Sequence, residues 1–190
     1  MNNTLDKIDS FIQQLFDPES NKEYQSIVNK INKFESKEEA LFHYIEHNNL
    51  EIVKYLVENG SDIHSDDDHA LKLASEDGHL EIVKYLVENG SDIHAENDFA
   101  LQLASENGHI NVVKYLVENG ANIHAEEDHA LRSASYYGHL ETVKYLVENG
   151  SDIHAENDFA LKYASKNGHF ETVKFLESMK ENENEKNSYI

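Results

Sequence analysis

The chain has 190 residues, 39% hydrophobic and 28% charged, with no cysteine, enough for a globular domain with a real core but neither a disulfide framework nor a thiolate zinc site. Sixteen basic against thirty-seven acidic side chains leave a formal charge of -21, a field that repels phosphate backbones and anionic lipid and speeds encounter with a basic protein surface. No stretch approaches the roughly 20 apolar residues of a membrane span, and the start MNNTLDKIDSFIQQLF lacks the basic and apolar regions of a secretory signal. These features predict an intracellular, cytoplasmic protein that binds neither nucleic acid nor membrane.

From the N-terminus, Leu5, Ile8, Ile12 and Leu15 share one helical face, Asp17-Pro18 marks a break, and Tyr24, Ile27, Ile31 and Phe34 form a second stripe. Two capping helices over residues 1–37 are predicted. Ser36 and Glu39 then have the spacing of a capping box for the helix that follows.

Beyond residue 37 the sequence repeats. The heptapeptide Lys-Tyr-Leu-Val-Glu-Asn-Gly ends at Gly60, Gly90, Gly120 and Gly150, and ALxxAS begins at Ala70, Ala100, Ala130 and Ala160. The units are 38–67, 68–97, 98–127, 128–157 and 158–179. In the third, Asp98 is the expected N-cap of a first helix that stops at Gly108, and a second helix runs from about Ile110 to a stop at Gly120. Val112, Val113, Leu116 and Val117 recur at helical spacing opposite Asn111, Lys114 and Glu118, so one face must pack while the other is solvated. Neither helix can bury its apolar side alone, and stacking of the units into an all-α solenoid follows. In the last unit Glu177 and Lys180 replace the usual valine and glycine, giving a polar C-terminal cap, with a disordered polar tail expected over 180–190. All eight glycines occupy unit stops, leaving none for a phosphate-cradling loop.

The pattern A-L-x-x-A-S-x-x-G-H-L-E-I-V-K-Y-L-V-E-N-G-S-D-I-H resembles the ankyrin repeat, with Gly78-His79, Gly108-His109, Gly138-His139 and Gly168-His169 matching the family's turn between helices. The unit departs from the family in lacking the Thr-Pro-Leu-His start and in being about three residues shorter. The loss falls on the projecting hairpin loop, which implies a blunted finger and moves the expected binding surface to the first helices. The short unit, rich in Asn, Lys and Ile, is also similar to ankyrin proteins encoded by AT-rich giant DNA viruses of amoebae, where such arrays act as protein-binding scaffolds in the host cell.

Twelve histidines raise the question of metal. His64, His94, His124 and His154 form one column and His79, His109, His139 and His169 another, but equivalent atoms of stacked helices lie about 8–10 Å apart, too far to share an ion. Structural hydrogen bonds are expected, with no metal or cofactor. The acidic runs ending at Asp68, Asp98, Asp128 and Asp158 lack the spacing of a calcium loop. Capping by the final Asp is expected instead. The Tyr55, Tyr85, Tyr115, Tyr145 and Phe175 column reads as core packing.

Function in a repeat array is sought where the units differ. The two residues before each Gly-His face the concave surface in the family, and here they are Glu76-Asp77, Glu106-Asn107, Tyr136-Tyr137 and Lys166-Asn167. Tyrosine offers large rigid contact area with a polar tip, and Tyr, Trp and Arg dominate interface hot spots. The chain's one arginine, Arg132, precedes Tyr136 by a helical turn, and Tyr163 is a further departure. Ser, His and acidic residues repeat in register without a singular constellation, so no catalytic site is expected. The sequence therefore predicts a monomeric, non-catalytic scaffold whose concave face binds a protein with basic and apolar features. A structural or self-assembling, virion-associated role is the alternative.

Overall fold

The computed structural model describes residue 26 and residues 28–187, and the chain divides into two compact units, residues 1–63 and 64–190. No strand occurs among the described residues, and the fold is an all-α repeat solenoid. The predicted capping stripe from Leu5 to Ile27 lies outside the described residues.

In the first unit a helical turn at residues 28–31 precedes α1 (Lys37–Glu46) and α2 (Leu50–Glu58). The Ser36 hydroxyl accepts from the Glu39 N–H at 3.0 Å, while the Glu39 carboxylate accepts from the Glu35 N–H at 2.7 Å. Two donors at the helix start are thus satisfied as in a capping box, with the reciprocal bond shifted by one residue. Asn48 stands where the later units have glycine and adopts a left-handed φ of 51°, which a short polar side chain tolerates. Leu41, Ile45, Val53 and Leu56 are buried between the two helices.

The second unit contains α3 (Ser65–Glu76), α4 (Leu80–Glu88), α5 (Ala95–Glu106), α6 (Ile110–Glu118), α7 (Ala125–Tyr137), α8 (Leu140–Glu148), α9 (Ala155–Lys166) and α10 (Phe170–Asn187). First helices pack side by side in the order α3, α5, α7, α9, and second helices in the order α4, α6, α8, α10. Leu86, Leu116 and Leu146 are fully buried in the second helices, and Leu71, Leu101 and Leu131 in the first. Each contributes roughly 1.5–3 kcal/mol of burial. The tyrosine column is half-buried rather than fully inside, because each ring spans the boundary between the apolar stripe and solvent. Burial raises the Tyr115 and Tyr145 phenols above their ordinary pKa.

Each first helix of this second unit ends in a left-handed glycine. Gly108 has φ of 72°, and the His109 N–H donates to the Ala104 carbonyl at 2.9 Å, the six-to-one bond that closes a helix of this kind. A second demand falls on the same position. The His139 ring of the next repeat lies over Gly108, so that a Cβ there would stand 2.5 Å from Nδ1. His139 Nε2 donates to the Glu106 carbonyl at 2.8 Å, as His109 does to Glu76 and His169 to Tyr136. This histidine column hydrogen-bonds the repeats together, as expected.

The connections between repeats overturn the expected capping role of the final aspartate. Glu96, Asn97 and Asp98 all adopt left-handed backbone, with φ of 49°, 59° and 59°, and the equivalent triplets at 66–68, 126–128 and 156–158 do the same. Regular right-handed helix begins only after Asp98. Its carboxylate is turned toward the following connection, accepting from the Asn122 N–H at 2.8 Å and meeting His94 Nδ1 at 3.0 Å. Asp68 and Asp128 bind the Asp92 and Asp152 amides in the same way. Three consecutive left-handed residues cost roughly 1–2 kcal/mol each, and these buried, charge-assisted bonds help to offset that cost.

The C-terminal end also differs from the expectation of a disordered tail after residue 179. α10 continues to Asn187. Lys180 stands where the other repeats place their stop glycine, and its ammonium binds the Asp158 carboxylate at 2.9 Å. Without a left-handed stop, the Glu- and Lys-containing run simply propagates the helix.

Candidate partner-binding site

All the residues singled out for binding lie in the second unit, on its first helices or at their C-caps. α7 is the helix whose variable positions carry Ser133, Tyr136 and Tyr137. Tyr136 and Tyr137 are 38% and 49% exposed, and their rings meet edge to face with centroids 4.9 Å apart. Tyr136 also approaches Tyr163 at 5.7 Å, and Tyr163 stacks on Phe159 at 3.9 Å. An aromatic cluster of four rings therefore joins α7 to α9.

Beside it lies a pocket of about 220 Å³ lined by Glu106, His129, Arg132, Ser133, Tyr136, Tyr137 and Phe159. Its origin can be read in the repeat register. Ser133 stands where the other repeats of this unit place Leu73, Leu103 and Tyr163, and the small side chain leaves the space that a large one fills elsewhere. His129, Ser133 and Phe159 are the lining residues not selected from the sequence. The signal was there in the substitution of a bulky position by serine, which a search for prominent side chains passes over.

The electrostatics of the pocket are mixed. The Glu106 carboxylate accepts from the Tyr137 hydroxyl, which holds that phenol above its ordinary pKa. Burial, reinforced by the neighbouring Arg132 charge, lowers the His129 pKa and favours its neutral ring. Arg132 itself is engaged. Its Nε donates to the Glu127 carbonyl at 3.0 Å, its Nη2 to the Glu126 carbonyl at 2.7 Å, and its guanidinium lies 5.3 Å from the Phe159 ring centre. Gln102 and Lys72, one and two repeats earlier, likewise reach the Asn97 and Asp66 carbonyls, so this position braces the left-handed connection. Arg132 forms a pocket wall as a tethered group, not as a free cation.

The remaining selected residues are dispersed. Asn167 donates to the Tyr136 carbonyl at 2.8 Å and so fixes the backbone under the aromatic pair. Lys166 lies over the Tyr163 ring at 5.4 Å. Asn107 caps its own helix by donating to the Leu103 carbonyl at 3.0 Å. Glu76 and Asp77 are exposed on α3 and its C-cap, outside the pocket, with Asp77 3.8 Å from His79. The structure thus gathers Glu106, Arg132, Tyr136 and Tyr137 around one concavity and packs Tyr163 against two of its lining rings, Tyr136 and Phe159.

The helix pairs, the Gly-His turns and the register of both histidine columns agree with the family comparison, in which ankyrin repeats in three copies match residues 2–97 and 94–157. The chain belongs to the ankyrin-repeat family. Ankyrin repeats generally mediate protein–protein interaction, and proteins built from them are generally non-enzymatic scaffolds. No curated protein matches the chain. No helix among the described residues is long and apolar enough to cross a membrane.

Proposed function

We propose that this ankyrin-repeat chain is a non-catalytic scaffold that binds a partner protein on the concave face of its array, with the pocket beside Tyr136 and Tyr137 as the anchor. The observation that carries the reading is the coincidence of the one pair of adjacent exposed tyrosines with a cavity large enough for a partner side chain. A rigid aromatic pair next to a concavity is the arrangement in which interface hot spots concentrate. The partner has basic and apolar features: the Glu106 carboxylate offers an acceptor for a cationic side chain, the rings offer apolar contact, and the chain's net charge of -21 steers a basic surface toward it. A monomeric, cytoplasmic chain fits this role.

The test compares wild type with the Tyr136→Ala, Tyr137→Ala double variant as bait in cell lysate, after melting curves confirm that both are folded. Both rings are well exposed, so truncation leaves the core intact. A protein retained by wild type at low salt, released as salt rises and lost by the variant supports the reading. Equal capture by both baits removes the tyrosine pocket from the interface, and concentration-dependent self-association without any captured protein favours the structural role.

A further inference from the structure

The first repeat carries a different constellation at the positions that become Ser133, Tyr136 and Tyr137 in the fourth. His43, Glu46 and His47 occupy them, and the intervening repeats have Leu73, Glu76 and Asp77, then Leu103, Glu106 and Asn107. Two imidazoles and a carboxylate in this register occur in the first repeat alone.

The spacing is i, i+3, i+4 on the last turn of α1, so the three side chains share one helix face. Their nitrogen and oxygen ligand atoms lie within 4.8 Å of one another. His47 Nδ1 is oriented by the His43 carbonyl at 2.8 Å; donation of its proton there leaves Nε2 as the ligand atom, the outer-sphere arrangement that fixes a metal-binding imidazole. The His43 ring is held by Phe34 at 5.0 Å and by Tyr44 at 5.1 Å, with the His47 ring 4.2 Å away. Bonds of about 2.1 Å to a tetrahedral zinc ion place ligands about 3.4 Å apart, a closure within reach of side-chain torsions at two exposed positions, Glu46 and His47.

The geometry points to a divalent transition-metal site at His43, Glu46 and His47, with zinc as the natural ion for two imidazoles and one carboxylate. The distance argument that excludes the histidine columns does not apply, because all three ligands come from one helical turn. Three ligands from the chain leave a fourth position for water or an incoming donor group.

Zinc chloride, titrated into the full chain in competition with a chromophoric chelator, tests the assignment. The expected result is one tightest-binding equivalent per chain, whose affinity falls at least about tenfold in His47→Gln, with a smaller loss in Glu46→Gln. Both replaced side chains are exposed, and melting curves report whether the variants stay folded. Ring-carbon NMR of the wild type supplies a readout independent of any variant: the His43 and His47 signals shift first among the twelve histidines. Wild-type affinity in both variants, first shifts at other histidines, or no uptake at all would each overturn the site.

Discussion

Gly108 and Gly168 end equivalent helices with nearly the same backbone, φ 72° and 78°, yet they are held to glycine by different demands. At Gly108 the backbone is left-handed and the next repeat's His139 ring covers the space a side chain would need. At Gly168 the backbone alone makes the demand, since nothing among the described residues lies within 4 Å of an added Cβ. A repeat residue that looks invariant in the sequence can therefore carry one constraint at the end of the array and two inside it.

Alanine at each position separates these constraints. Gly168→Ala meets only the left-handed penalty of about 1–2 kcal/mol. Gly108→Ala adds overpacking of about 1–3 kcal/mol, because the obstructing atoms include His139 Cγ at 2.8 Å, and the ring is anchored to the Glu106 carbonyl. Denaturant titration is expected to show the larger loss for Gly108→Ala. Adding His139→Ala to Gly108→Ala sharpens the comparison: removal of the ring relieves the clash, so the double variant loses less than the sum of the singles. Strict additivity would mean that the ring does not obstruct the site.

The aspartates offer a second interior contrast, of intermediate size. Asp98 is 4% exposed and satisfies the Asn122 amide across the repeat junction. Asp98→Ala leaves that donor without its carboxylate and is expected to cost about 1–3 kcal/mol. Asp98→Asn preserves a neutral oxygen acceptor and should lose less. Hydrogen exchange at Asn122 provides the local check, because its amide should lose protection in Asp98→Ala before the neighbouring helices do.

The helix pairs and their stops were legible because period and glycine placement follow directly from local physics. Asp98 was not. An aspartate before an apolar helix reads as an N-cap, but a connection about three residues short of the family's length is traversed by three left-handed residues, and their backbone directs the carboxylate to the next repeat. Arg132 escaped for a related reason: equivalence to Lys72 and Gln102 identifies a loop brace, whereas its rarity suggested an exposed hot spot. The tyrosine pair was visible as an exception among the units, but the adjoining pocket depends on the small Ser133. His43, Glu46 and His47 stayed hidden while histidines were compared between repeats and not within one turn.

The smallest expected effect lies at Asp158, whose carboxylate meets Lys180 where those of Asp68, Asp98 and Asp128 meet a backbone amide. Lys180, together with His154, holds the Asp158 carboxyl below its ordinary pKa. The folded state binds the proton less readily than the unfolded chain, so this interaction is fully present above the ordinary carboxylate pKa and is lost as pH falls through the depressed one. Lys180→Met removes the largest contribution to that depression while retaining an unbranched helix-forming side chain. Because the pair is partly exposed, with 28% and 30% side-chain accessibility, the loss near neutral pH should stay under about 1 kcal/mol. Melting temperatures of wild type and variant should differ above the carboxylate range and converge below it. A difference that persists unchanged into acid would assign the role of Lys180 to packing of its aliphatic stem rather than to its charge.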